Sequence, residues 1–230
     1  MKQVYIGIFA HPDDESFGPS GTMAQKIQAG ADVHLICATG GESGQNPDGH
    51  ESLGEARIQE WHTAGALLGI KSQHHLGFID GTLNNNQFRD IAKKTLDVLN
   101  SIIAQYAADT TFTFITMDQN GISGHIDHIT MSYIASYVFV KLRAEDTRIS
   151  QLWYFCVPVN VLPEADISFV FRSKGRLESE IDIRNDITSV FELKKQIMRA
   201  HVSQRGDAEA LIARAENAGA PEECFYIYKD

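Results

Sequence analysis

Two short stretches hold side chains whose types and spacing could do chemistry. In IGIFAHPDDESFG, residues 6–18, an apolar run stops at His11, and Asp13, Asp14 and Glu15 follow at once. Adjacent carboxylates repel one another and gain nothing by packing. In DQNGISGHIDH, residues 118–128, a second polar loop carries His125, Asp127 and His128. Neutral imidazole nitrogens and a carboxylate oxygen suit a catalytic zinc, which keeps an open position for water. A two-histidine, one-carboxylate set also serves Fe(II), so the donors leave the metal open. Two ligands from one loop and one from the other would close such a site. A divalent cation would offset the repulsion, and a carboxylate left unbound could take a proton from water. Singly, each stretch has an ordinary explanation: acids favoured at a helix N-terminus, an ion-paired histidine, a capped loop. Together, at strand ends, they point to a metal.

The elements around them set the geometry. Val4–Ala10 and Val33–Ala38 read as short buried strands, as do HHLGF (74–78) and Thr111–Thr116. Between them lie helical patterns over residues 19–29, Leu53–Leu68 (ended by Gly69), Gln87–Tyr106 and Ile129–Leu142. This alternation predicts a Rossmann-like α/β fold, a mostly parallel sheet with helices on both faces joined by right-handed crossovers. In such sheets ligands sit beyond the carboxyl ends of the strands. His11 to Glu15 follow the first strand and His125 to His128 the fourth, so both groups are expected on one rim.

After residue 145 the rhythm changes. Leu152–Val159, Ile167–Phe171, Ser179–Ile183 and CFYIYK (224–229) read as strands. Asp186–Ala200 reads as a helix capped by Asp186 or Thr188, and Ala208–Glu216 as another. The expectation is one domain over residues 1–230, a core of 1–145 plus a C-terminal strand-containing extension of 146–230.

Composition narrows the class. The chain has 230 residues, 43% of them apolar, and a formal net charge of -10. No basic cluster marks a nucleic-acid footprint. No segment approaches the ~18 apolar residues of a membrane helix, and the N-terminus lacks a signal-peptide pattern. Cys37, Cys156 and Cys224 are sparse and odd in number, which suits reduced thiols in a cytoplasmic protein. A nucleotide-binding module is disfavoured, since neither GxGxxG nor GxxxxGK[ST] is present.

AHPDDE at 10–15 with GHIDH at 124–128 resembles the LmbE/PIG-L family of zinc-dependent N-deacetylases, in particular its bacterial thiol-cofactor branch. ATGGESG at 38–44, LGEARIQE at 53–60, LGFIDGTL at 76–83 and KKQIMRAHVSQ at 194–204 resemble further family motifs. The likeness covers roughly the first 140 residues and returns near 200; residues 145–185 match nothing in it. The resemblance implies His11, Asp14 and His128 as ligands of Zn2+, with Fe2+ or another divalent metal as the alternative. It implies Asp13 as general base, His125 as the imidazole that holds the oxyanion or protonates the leaving amine, and Asp127 as the carboxylate orienting a histidine. Arg57 and Asp80 match positions that touch the sugar. The implied reaction hydrolyses the N-acetyl group of a small-molecule N-acetylglucosamine conjugate. The alternative is a metal-dependent amidase acting on another acyl group or amide. No nucleic-acid or membrane partner is expected. Some family members are trimers or hexamers, so a homo-oligomer is an expectation from the family alone. Where some thiol-cofactor enzymes carry Tyr before the Gly-His pair, this chain has Ser123. His50, His62, His74 and His75 read as structural or surface residues, while His201, in AHVSQ, could lie near the pocket.

Overall fold

The computed structural model describes residues 1–159, 161 and 175–229. In β1 (Gln3–Phe9) every residue after Gln3 is buried, as expected of a strand covered on both faces. Successive side chains go to opposite layers. Val4, Ile6 and Ile8 pack with Leu99 and Phe139 on one side. Tyr5 and Phe9 pack with Met23, Trp61 and Ile197 on the other.

β1 pairs in parallel with β2 (Asp32–Thr39) on one edge and β4 (Thr111–Met117) on the other. β3 (Ser72–Phe78) extends the sheet beyond β2 and β5 (Ile149–Cys156) beyond β4, both in parallel. The full order is β3-β2-β1-β4-β5-β7-β6. The chain leaves β1 toward β2 and later returns to β4 on the opposite side. The carboxyl ends of β1 and β4 therefore flank the switch point where α/β sheets open a crevice.

The helices follow their patterns closely. The short α1 (Asp14–Phe17) and α2 (Ser20–Gln28) follow β1. α3 spans Leu53–Leu68, as expected, and ends at Gly69, whose φ of 85° is the left-handed cap conformation and whose N–H donates to Gly65 O at 2.9 Å. In α4 (Phe88–Ile103) Ile91, Thr95, Leu99 and Ile102 are buried, the spacing of one helical face. α5 runs Ile126–Arg143, so it begins inside the GHIDH motif, before the expected Ile129.

The C-terminal region departs from expectation. β7 (Glu222–Ile227) pairs antiparallel with β5, and β6 (Ile183–Asp186) antiparallel with β7. Its strands thus extend the core sheet. The strand expected over Ser179–Ile183 is a 3-10 turn at Glu178–Glu180, because Glu180 reaches back to accept from Leu177 N at 2.8 Å. The helix expected from Asp186 starts later. Asp186 ends β6 and its Oδ1 accepts from Thr188 N at 2.8 Å, a 3-10 turn covers Thr188–Val190, and α6 runs Phe191–Arg199. α7 runs Arg205–Ala218. The strand expected at Ile167–Phe171 lies outside the described residues. Among those described, no helix is long and apolar enough to cross a membrane.

β7 also secures the region beside the first motif. Its buried Glu223 accepts from Gly21 N at 2.8 Å and Thr22 N at 2.7 Å, at the start of α2. The same carboxylate pairs with buried Lys194 of α6 at 2.6 Å, and Lys194 also donates to Gly18 O.

Candidate metal centre

The loop after β1 is wound around one carboxylate. Asp14 Oδ2 accepts from Ala10 N and His11 N, each at 3.0 Å. Its Oδ1 lies 3.1 Å from His128 Nε2, and His11 Nδ1 lies 2.9 Å from that same nitrogen. Two sequence-distant loops thus bring a carboxylate oxygen and two imidazole nitrogens together. His125 joins the histidine cluster, since donor atoms of His11, His125 and His128 fall within 4.8 Å of one another. A second overlapping group, His11, Asp80 and Asp127, meets the same limit.

Proton placement decides what this cluster accepts. His128 Nδ1 is 3.0 Å from Gly121 O, an acceptor, so that nitrogen carries the proton and Nε2 presents its lone pair inward. His11 Nε2 lies 2.8 Å from Asp80 Oδ1 and 3.5 Å from Asp127 Oδ2, though no aligned hydrogen bond forms. Those carboxylates favour the proton on Nε2, which leaves Nδ1 as a lone pair. Two lone pairs and a carboxylate oxygen then face one another, an arrangement that a proton or a cation must relieve. Burial works against charge on His11, but Asp127, Asp14 and Asp80 hold its pKa well above the ordinary histidine value. Burial raises Asp14, yet the His128 and His11 imidazoles hold it well below the usual carboxylate range. The donor set fits a divalent cation: imidazole nitrogen and carboxylate oxygen, backed by carboxylates beyond the imidazole.

Asp13 stands apart from that cluster. Its backbone sits at φ 149°, ψ -20°, a region sparsely allowed to any residue but glycine. Its Oδ2 accepts from Arg57 Nη2 at 2.8 Å. Burial pushes the Asp13 carboxyl up to about 6, with the Arg57 cation opposing and the Asp14 charge adding.

Arg57 and Asp80 are both buried. Arg57 also donates to Gly41 O at 2.7 Å and Pro12 O at 3.2 Å. Gly41 has φ 69°, and a side chain there would overlap the guanidinium. The glycine-rich loop after β2 is therefore shaped to let Arg57 reach Asp13. Asp80 Oδ2 accepts from Ser43 N at 3.0 Å, and Asp80 N donates to Glu42 at 3.2 Å. Its other oxygen faces His11. Asp127 accepts from Gly81 N at 2.8 Å and Leu83 N at 3.1 Å, so it pins the loop after β3 as it backs His11. His125 caps α5, its Nδ1 accepting from Asp127 N at 3.3 Å. That bond leaves the proton on Nε2, and burial, followed by the neighbouring His128 and His11, lowers its pKa.

Besides His201, expected near the pocket, several residues with no role read from the sequence support the site. Ser16 Oγ donates to buried Glu15 at 2.7 Å, and His201 Nε2 lies 2.9 Å from that hydroxyl. Burial pushes Glu15 up to about 8 and His201 down to about 3. Glu60 accepts from Ser203 N and Oγ at 2.8 and 2.7 Å, and Gln204 donates to Gln45 O at 2.8 Å. The signal was the AHVSQ stretch, which ties the late helices to the first motif and the glycine-rich loop.

A mostly parallel α/β sheet thus carries, at its switch point, a histidine-carboxylate cluster that could hold a metal ion, with a further acid beside it. Residues 6–139 match the family described as GlcNAc-PI de-N-acetylase, PIG-L, and the chain belongs to that family. It is a hydrolytic N-deacetylase by that membership. A 1D-myo-inositol 2-acetamido-2-deoxy-alpha-D-glucopyranoside deacetylase of Salinispora arenicola is 27% identical, over 93% of this chain and 80% of its own length. A probable N-acetyl-alpha-D-glucosaminyl L-malate deacetylase of Bacillus cereus is also 27% identical, over 100% and 99%. Among solved structures, N,N'-diacetylchitobiose deacetylase of Pyrococcus horikoshii superposes with a TM-score of 0.69 at 21% identity, over 99% of this chain and 84% of that one. The 4-carboxy-2-hydroxymuconate hydratase of Pseudomonas putida gives 0.68 at 18%, over 100% and 97%. The fold therefore serves more than one reaction, and the site must carry the argument for chemistry.

Proposed function

We propose that the protein hydrolyses the N-acetyl group of a small-molecule N-acetylglucosamine conjugate, releasing acetate and a primary amine, with zinc held by His11, Asp14 and His128. The observation that carries the reading is the meeting of His11 Nδ1, His128 Nε2 and the Asp14 carboxylate, with Asp13 beside them but bound to Arg57. When bound, the metal supplies Lewis-acid polarisation of the amide carbonyl and lowers the pKa of water toward about 7.

The chain's own groups do the rest. Asp13, raised by burial to about 6, accepts the proton of the attacking water. Arg57 keeps that carboxylate aimed and ionised. His125, kept neutral with its proton on Nε2, donates to the oxygen that gains charge as water adds. Asp127 and Asp80 orient His11 from behind. Breaking the C–N bond then requires a proton at the amine nitrogen, and Asp13, now protonated, is the nearby source. Residues 1–230 act in this reading as one catalytic domain, and the buried free thiols of Cys37, Cys156 and Cys224 support a reducing, cytoplasmic setting.

The test is acetate release from free, inositol-linked, malate-linked and chitobiose forms of N-acetylglucosamine, by protein loaded with zinc or Fe2+ and by chelated protein. Release from any conjugate that needs zinc supports the reading. Protein that holds one metal per chain and releases no acetate refutes the acetyl assignment and favours an amidase for another acyl group.

A further inference from the structure

An apolar cavity of about 680 Å³ is lined by sequence neighbours of the proposed ligands, Phe17 and Ser123, but by none of the ligands themselves. Phe17 lies one helical turn after Asp14 in α1. Ser123 lies between Gly121, whose carbonyl fixes His128, and His125. From there the cavity runs between the carboxyl end of β5 and helices α6 and α7, walled by Ile122, Phe155, Phe191, Met198 and Leu211. Its size is that of a small-molecule site.

Of the charges in its walls, Lys194, Glu223 and Glu222 are already engaged, while Arg214 has no ion-pair partner among the described residues. Lys194 is bound by Glu223 and Gly18 O. Glu223 spends both oxygens on Lys194 and the first amides of α2. Glu222 is paired with Arg184. A polyol placed here would lose its hydration against a mostly apolar wall, which is unfavourable, and an anionic group would find only the Arg214 cation to pair with. An alkyl or aryl group would be desolvated at a gain.

We propose that this cavity binds an apolar aglycone, an alkyl or aryl group on the sugar whose N-acetyl group meets His11, Asp14 and His128. The inference rests on the deacetylase reading and departs from the inositol and malate aglycones named for the two bacterial relatives. Selectivity then comes from burial. Each methylene removed from water is worth about 0.8 kcal/mol, about fourfold in affinity, so a chain of several carbons separates strongly from a methyl group.

The experiment compares octyl and methyl N-acetylglucosaminides, both anomers of each, with the metal-loaded full chain. It reads kcat/KM for acetate release and, independently, binding by calorimetry. The octyl compound should be favoured by about 100-fold or more, as burial of several methylenes implies. Leu211→Glu, at a position that is 37% exposed, should remove most of that preference and leave the methyl compound unchanged. Ala215→Glu, one helical turn further along the same cavity wall, is the second variant. Equal kcat/KM for octyl and methyl compounds overturns the proposal. So does preferred hydrolysis of methyl N-octanoylglucosaminide, which would place the acyl group in the cavity. If neither glycoside releases acetate, the deacetylase reading is decided by the inositol, malate and chitobiose conjugates, and calorimetry still decides the cavity: octyl binding weakened by Leu211→Glu supports it, and no octyl preference overturns it.

Discussion

Arg57→Met isolates the electrostatic part of the site. The substitution keeps a long side chain in α3 but removes the cation that lies 2.8 Å from Asp13 Oδ2. Asp13 must be ionised to accept a proton, so activity should fall as pH drops through its pKa. Burial already lifts that value to about 6, and Arg57 is the largest influence opposing the rise. Removing a positive charge destabilises the carboxylate, so the pKa moves up and the acidic limb of the profile moves to higher pH. With charge centres about 4 Å apart and an effective dielectric of about 20, the lost interaction is about 4 kcal/mol. That corresponds to about 3 pKa units as an upper bound, and neighbouring charges commonly shift carboxylates by about 1–3 units. The assay is kcat/KM for acetate release across pH 5–9 on metal-loaded protein, with circular dichroism and metal content as controls. A folded, metal-replete variant whose acidic limb stays where it was would refute the electrostatic role and leave Arg57 as a brace for the Gly41 loop. A shift to lower pH would refute Asp13 as the group being titrated.

Asp13→Gly should lower turnover at least about 100-fold with loss of the base, and although it relieves the φ 149° backbone, the Tm should fall because buried Arg57 loses its carboxylate partner; a higher Tm would refute that pairing as a source of stability. His128→Ala should lose bound metal, measured by elemental analysis after desalting, whereas Asp13→Asn should keep it; equal retention in both would remove His128 from the ligand set. Glu223→Gln leaves Lys194 buried with a neutral partner, so denaturant unfolding should show a loss of about 3–5 kcal/mol. A change below about 0.5 kcal/mol would mean the pair is not what holds α6 to β7.

The sequence made the centre of the sheet readable because burial there is uniform. Val4–Ala10 and Thr111–Thr116 are short apolar runs with no rival assignment, and a parallel sheet fixes which end of each strand faces the ligand. That is why His11, Asp14, His125 and His128 could be placed on one rim before any coordinates. The C-terminal strands were harder, since β6 and β7 are defined by antiparallel partners that local periodicity does not announce. Residues 179–183 alternate polar and apolar well enough to mimic a strand, yet the Glu180 side chain satisfies Leu177 N locally and coils the segment. Asp118 and Arg176 form a bidentate pair at 2.7 Å across 58 positions, and neither residue type signals its partner. The depth of Arg57 was also hidden. Its helix is amphipathic only weakly, and what draws the guanidinium inward is the missing Cβ at Gly41.

The grip of Glu223 on the first amides of α2 has a consequence in time. A chain emerging from synthesis makes HPDDE some two hundred residues before the carboxylate that secures the neighbouring helix. Contacts so distant along the chain slow folding, because the intervening loop must close before they form. The first amides of α2 therefore cannot gain their carboxylate partner until β7 has been made and has joined the sheet beside β5.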